Sequence, residues 1–204
     1  FWNTSVTRLP SSAVTYRNEQ SSLVPACNTS RDLLHDPLLD CPLLDRLSYE
    51  KFIAHGWTKI VHKAKLDDGT SIAIKTVNIN GKDVSDCSRT ESLLLCHNKA
   101  TEKLVREIWL LKELQHKNII QLKYFCSKVD GGDWCMKYAV IGTEIGETLS
   151  NLKLLQMTWR ERKIVIQDLV RLIHYSSSSP LGTLGLADLR RPQFVLIKGH
   201  LKLA

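Results

Sequence analysis

Ile72-Ala73-Ile74-Lys75 and, further along, Arg106-Glu107-Ile108-Trp109-Leu110-Leu111-Lys112-Glu113-Leu114-Gln115-His116-Lys117-Asn118-Ile119-Ile120 are the two stretches whose reading decides the fold. The first lies in a β-rich run, Ser71 to Val77, behind the hairpin turn signal Asp67-Asp68-Gly69. Side chains alternate across a strand, so Ala73 and Lys75 share one face. A small residue there leaves room for a flat ring, and the lysine beside it can meet phosphate. In isolation the tetrapeptide reads first as a strand with one solvated lysine. The second stretch has helical spacing: Leu104, Ile108 and Leu111 recur at i, i+4 and i+7, and the spacing predicts a helix over 99–115. Glu107 sits three residues after Leu104 and four before Leu111, on the inward flank. A buried acid is costly unless paired, and Lys75 is the natural partner. The competing reading is an exposed glutamate in an i, i+4 network with Lys103 or Lys112 nearby.

The order of the remaining elements extends this pattern. Residues 1–45 are rich in Ser, Thr, Asn and Pro and are expected to form an irregular leader, with Leu38-Leu39 and Leu43-Leu44 docking on the body. Phe52 to Ala64 alternates loosely. Ile119 to Phe125 and Tyr138 to Thr143 read as strands joined through a Gly131-Gly132-Asp133 turn. Thr158-Trp159-Arg160-Glu161 is a capping box opening a helix to about Tyr175, with Val165, Leu169 and Leu172 on one face and Ile166, Val170 and Ile173 beside them. Two short apolar stretches follow, Leu184 to Ala187 and Gln193 to Ile197.

The helical stretch and its Lys75 partner resemble the helix C to strand 4 segment and the strand lysine of protein kinases. That resemblance implies an α+β, protein-kinase-like fold, incomplete in this chain. It comprises a five-stranded antiparallel N-lobe sheet with helix C over 46–145, then hinge, helix E and catalytic-loop hairpin of a partial C-lobe over 146–204. A phosphate-covering loop falls on Ile53-Ala54-His55-Gly56-Trp57-Thr58-Lys59-Ile60-Val61, where only Gly56 of three usual glycines survives and Lys59 brings a charge. Fewer glycines imply a stiffer loop. In Leu186-Ala187-Asp188-Leu189-Arg190-Arg191-Pro192-Gln193-Phe194, Asp188 takes the place of the catalytic base and Gln193 that of a metal-binding Asn. Arg190 stands where many kinases carry a lysine that meets the transferred phosphate. Leu186 and Ala187 replace the usual His and Arg, so anchoring of a phosphorylated activation loop is not expected. Ile141-Gly142-Thr143-Glu144-Ile145-Gly146 reads as the hinge, with backbone at Glu144 and Gly146 facing an adenine edge.

Over residues 41–204 the likeness is narrower. His55-Gly56-Trp57-Thr58-Lys59, Leu154-Leu155-Gln156-Met157-Thr158-Trp159, Ser179-Pro180-Leu181-Gly182 and Arg191-Pro192-Gln193-Phe194-Val195-Leu196 resemble the vertebrate lonesome kinase family, secreted and Golgi-associated protein tyrosine kinases. The resemblance implies ATP and Mg²⁺ (or Mn²⁺) as cofactors, secretory-pathway or extracellular protein substrates, and a place in the Golgi lumen or outside the cell. It also implies disulfides among Cys87, Cys96, Cys126 and Cys135. Ala54 departs from the family's glycine. Gln193 and the Thr58-Lys59 pair are features of the family and so argue less against activity here.

Composition bounds these readings. With 204 residues the chain can build one real core. No apolar run approaches the roughly 18 residues needed to span a bilayer. A net charge of +7 without a Lys/Arg block or interleaved aromatics argues against nucleic acid as partner. Six cysteines without a C-x-x-C pair disfavour structural zinc. The sequons at Asn3 and Asn28 tilt toward the secretory pathway, although a cytosolic protein with buried thiols has the same composition. The chain opens on Phe1 and closes in what reads as a strand in progress. Both ends are therefore expected to continue, with a metal-binding Asp directly after Ala204. Two other functions stay open: a pseudokinase or ATP-binding scaffold, suggested by the degenerate loop, and, more weakly, a basic surface module for sulfated glycans or nucleic acid.

Overall fold

The computed structural model describes residues 36–129, 136–178 and 191–204. Five antiparallel strands form the main sheet: β1 (Ser48–His55), β2 (Lys59–Lys65), β3 (Ser71–Val77), β4 (Leu122–Val129) and β5 (Met136–Glu144). Their order is β1-β2-β3-β5-β4. The Asp67-Asp68-Gly69 turn closes β2 on β3. Gly69 takes φ +81°, which glycine adopts without a Cβ penalty, and the Asp68 carboxylate accepts the Thr70 N–H at 2.8 Å. Alternation along β3 sends Ile72 and Ile74 into a cluster with Tyr124 and Val140. Ala73 and Lys75 go to the opposite face, as the sequence predicts.

Two helices connect β3 to β4: α1 (Lys82–Cys87) and α2 (Leu93–Glu113). Helix α2 starts earlier than its apolar period suggests. Ser92 caps it by accepting the Leu95 N–H, and its first turn is a run of three leucines, all exposed, which carries no helical period. From Cys96 onward the inward stripe, including Leu104, Ile108 and Leu111, is buried against Phe125 and Ile141 of the sheet. Strand β4 begins later than expected, at Leu122. Ile119 and Ile120 are buried but pair elsewhere: Ile119 bridges Leu203, and the Ile120 N–H donates to the Leu203 carbonyl at 2.8 Å.

Beyond β5 come β6 (Glu147–Thr148), α3 (Asn151–Gln156) and α4 (Trp159–Ser177). Neither β6 nor α3 is legible in the sequence, being too short for a period. The capping box of α4 is present in full: Glu161 N–H donates to the Thr158 hydroxyl, and Thr158 N–H donates to the Glu161 carboxylate at 2.7 Å. Strands β7 (Phe194–Ile197) and β8 (His200–Leu203) complete a small sheet, β6-β7-β8. Phe194, Leu196, Leu201 and Leu172 of α4 join the same core as α2, so the two sheets share one hydrophobic interior.

β4 is an edge of the main sheet, and an edge leaves donors and acceptors to be covered. Residues 36–46 cover it. Leu39 bridges Phe125 in parallel, the Phe125 N–H donates to the Leu38 carbonyl at 2.9 Å, and Asp40 N–H donates to the Phe125 carbonyl at 3.0 Å. Leu38-Leu39 and Leu43-Leu44 pack on the two core clusters, as expected for docking residues. The disulfide pattern differs in part from the one the resemblance implies. Cys87 pairs with Cys96, tying α1 to α2, but Cys126 pairs with Cys41, which brings the covering segment onto β4. Loop closure over a long stretch of chain makes such a bond a strong constraint on the unfolded state. Cys27, Cys135, both sequons, the Gly131-Gly132-Asp133 turn and the 184–187 stretch lie outside the described residues. No helix among the described residues is long and apolar enough to cross a membrane.

Candidate active site

The residues predicted to bind a cofactor, together with Gln193, line one cleft of about 570 Å³ between the two sheets. Ile53, Gly56, Lys59 and Val61 reach it from the β1–β2 arm, Ala73 and Lys75 from β3, Glu144 and Gly146 from the end of β5, and Gln193 from the turn before β7. The antiparallel register explains the grouping. Val61 stands opposite Lys75 across β2–β3, and Ala73 opposite Thr143 across β3–β5, so one face of three strands supplies one wall.

At the back of the cleft Glu107 holds two ammonium groups. Lys75 Nζ donates to Glu107 Oε1 at 2.9 Å, and Lys59 Nζ donates to Oε2. Lys75 is 5% exposed. Burial pulls its pKa below the ordinary lysine value, with the neighbouring Lys59 adding to the fall and Glu107 opposing it. Burial alone would raise the Glu107 carboxyl. The ammoniums of Lys75 and Lys59 more than offset that and bring it down to about 2. Two cations against one carboxylate leave surplus positive charge facing the cleft. An anionic ligand with several oxygens suits such a place.

The hinge is held by its side chain as well as its backbone. The Glu144 N–H is taken by the Gln121 carbonyl at 3.1 Å. The Glu144 carboxylate accepts the Gln121 N–H at 2.9 Å and binds Lys202 of β8, joining the main sheet to the small one. Gly146 lies so close to β7 that a Cβ would come within 2.7 Å of the Leu196 carbonyl and the Ile197 side chain. Gln193 sits half-buried in a short 3-10 turn (Arg191–Gln193), and its backbone carbonyl accepts the Ala204 N–H at 2.9 Å. Asp188 and Arg190 lie outside the described residues.

Sequence reasoning missed other residues of the cleft. Trp57, Ile145, Thr148, Val195 and Ala204 line it. Lys202 could not be singled out, since a lysine alternating in a short strand has no signature. Lys103, weighed as a neighbour of Glu107, instead reaches Asp83 of α1 at 2.6 Å.

No family model matches the chain. Over 167 residues, 81% of the chain, it is 36% identical to the extracellular tyrosine-protein kinase PKDCC of Homo sapiens, covering 34% of that protein. Over 138 residues it is 28% identical to the receptor-like protein kinase ANXUR2 of Arabidopsis thaliana, covering 67% of the chain and 14% of that relative. It is 24% identical over 148 residues to the Arabidopsis thaliana G-type lectin S-receptor-like serine/threonine-protein kinase SD1-1, covering 67% of the chain and 16% of that relative. The chain thus spans about a third of the first relative's length and less of the others. The five-stranded sheet, the helix behind it with its Lys75–Glu107 pair, and these relatives agree with the resemblance read from the sequence: the chain belongs to the protein-kinase-like superfamily.

Proposed function

We propose that the chain is the nucleotide-binding part of an ATP-dependent protein kinase whose acceptor is a protein hydroxyl, tyrosine in particular. The observation that carries this is the pairing of Lys75 and Lys59 on Glu107 at the end of a cleft whose floor is the small residue Ala73. In this reading Lys75 holds the α and β phosphates and Glu107 orients Lys75. Lys59 adds positive charge beside the phosphates. Ile53, Gly56, Val61 and Ala73 enclose the base, and the backbone at Glu144 and Gly146 faces its edge. Asp188 takes the proton of the acceptor hydroxyl as its oxygen attacks the γ-phosphorus, ADP leaves, and Arg190 meets the transferred group. A divalent cation, Mg²⁺ or Mn²⁺, takes several oxygen ligands and neutralises phosphate charge. In this reading Gln193, which lines the cleft, would offer it an amide oxygen. Residues 46–145 then act as the N-lobe and 146–204 as the start of the C-lobe.

The tyrosine preference and extracellular or secretory-pathway substrates are supported by the likeness to the extracellular tyrosine-protein kinase, and the two disulfides suit a secreted or Golgi-lumenal protein. The test is phosphorylation of a tyrosine-containing protein by the complete protein, with ATP and Mg²⁺. Lys75→Ala and Asp188→Asn should each cut the rate by about 100-fold or more. Unchanged rates in both would overturn the assignment. A second reading, an ATP-binding scaffold, is favoured by the single glycine of the β1–β2 turn. It predicts ATP binding sensitive to Lys75→Ala with no transfer in any variant. The 204-residue chain alone is expected to transfer nothing.

A further inference from the structure

The β1–β2 turn has lost two of its three expected glycines, yet its backbone is not left to itself. Three consecutive carbonyls are taken by donors from the segment after β3. Gly56 O accepts the Asn78 side-chain amide at 2.9 Å, Trp57 O accepts the Asp83 N–H at 3.2 Å, and Thr58 O accepts the Asn78 N–H at 2.7 Å. The Lys82 ammonium stands over the Trp57 ring, 4.8 Å from its centre. Gly81 permits this approach: a Cβ there would lie 2.1 Å from the Trp57 carbonyl oxygen.

Helix α2 grips the same turn at two neighbouring residues. Glu107 takes Lys59 directly. One helical turn earlier, on the same face, Lys103 holds Asp83 at 2.6 Å, and Asp83 accepts the Thr58 hydroxyl. The Cys87–Cys96 disulfide fastens α1, which carries Asp83, to α2. Asp83 therefore joins turn and helix through three bonds of different kinds: its N–H to the turn, its carboxylate to Thr58, and its carboxylate to Lys103.

We propose that Asp83, assisted by Asn78, is a positioning residue of the nucleotide site: it makes the β1–β2 turn and helix α2 move as one body, so Lys59 is delivered to Glu107 whenever the helix is in place. A glycine-rich turn would hover over phosphates by its own flexibility. Here the roof is braced from α1, and its position is set by the helix that also orients Lys75. This inference rests on the nucleotide reading of the cleft, but its first readout does not.

The experiment uses the complete protein with Asp83→Ala, Thr58→Val and Thr58→Ser. Amide hydrogen exchange of residues 56–60, followed without nucleotide, should speed up by about tenfold in Asp83→Ala and Thr58→Val, since each removes a charge-assisted hydrogen bond. Thr58→Ser keeps the hydroxyl and should match the parent. With ATP, the first two variants should raise KM for ATP by about three- to tenfold with kcat within about twofold, the split expected of a group that shapes the site without touching the reacting atoms. Thr58→Val covers the case in which Asp83→Ala fails to fold. Unchanged exchange in both variants would overturn the brace. Faster exchange with unchanged KM would overturn its positioning role. If Lys75→Ala also left ATP affinity unchanged, it is the nucleotide reading that would have failed.

Discussion

Leu104–Glu107–Leu111 on α2 and Val165–Asp168–Leu172 on α4 are the same pattern: an acid three residues after one core aliphatic and four before another. Both acids turn inward, and they meet different things. Glu107 meets two lysine side chains and stays partly open to the cleft, with 21% of its side chain exposed. Asp168 is wholly buried. Its carboxylate accepts the Leu201 N–H at 3.0 Å, meets His200 Nδ1 at 3.0 Å and takes Arg171 at 3.0 Å. Asn118 completes the clasp on β8 by donating to the Leu201 carbonyl at 2.7 Å. One acid is outnumbered by two lysine ammoniums beside an open space, which leaves charge for a ligand. The other is saturated by a backbone amide and its neighbours, which fastens a strand. An inward acid alone does not mark a site; the kind of partner does.

The largest effect that could break this contrast is in a pair of neutralising substitutions. Glu107→Gln should lower phosphotransfer by the complete protein about 100-fold or more, because Lys75 loses the group that aims it. Asp168→Asn should cost about 2–4 kcal/mol of unfolding free energy, since an amide cannot accept at both oxygens and buried donors are left unpaired. Its rate per folded molecule should stay within about threefold. Rates from tyrosine phosphorylation and midpoints from urea unfolding give both numbers. The reverse pattern, with Asp168→Asn inactive and stable, would make α4 the catalytic helix and dissolve the distinction.

A smaller effect follows from acid. Burial tends to raise both carboxyls, but their partners win, and each sits below its ordinary value in the folded protein. A group of this kind contributes stability that is fully present above its unfolded pKa and lost as pH falls through the folded one. For Glu107 the loss runs from 4.5 down to about 2. For Asp168 it starts at the ordinary 3.8 and runs lower. The melting temperature of the parent should therefore fall steadily below about pH 4.5, and each of the two neutralised variants should fall less steeply. A variant with the parent's full slope would show that its carboxylate is not held in the way described.

What the sequence disclosed follows the same division. Lys75 and Glu107 were legible because strand alternation and helical period each turn a charged residue inward, and two inward charges of opposite sign imply each other. Asp168 carried an equal signal, but its main partners are a backbone amide and a histidine of β8, which have no sequence signature at that distance. Asp83 and Asn78 were invisible for a related reason. They act largely on carbonyls of the β1–β2 turn, and α1 is too short to show a period. The late start of β4 came from Ile119 and Ile120, whose apolar character reads as strand although they pair with Leu203. Cys41–Cys126 lay beyond reading because spacing does not determine connectivity.

The smallest effect separates the two helices by their apolar flanks. The buried stripe of α2 includes Ile108, which is 0% exposed. On α4, beside the stripe of Val165 and Leu172, runs a second one: Ile166 is 56% exposed, Val170 60% and Ile173 45%. Periodicity treats both stripes of α4 alike, because hydrophobicity states only what could be buried. In the 204-residue chain Ile108→Ala should cost about 2–5 kcal/mol, the combined loss of transfer free energy and packing. Ile166→Ser and Val170→Ser should each stay within about 0.5 kcal/mol, since neither vacates a packed position. Thermal or urea unfolding of the three variants side by side reads this directly. A cost for Ile166→Ser near that of Ile108→Ala would mean that the second stripe is packed in solution. The exposed flank of α4 would then be a covered face, and its Asp168 strut would sit at the centre of a layer, with hydrophobic contacts on both sides of the helix.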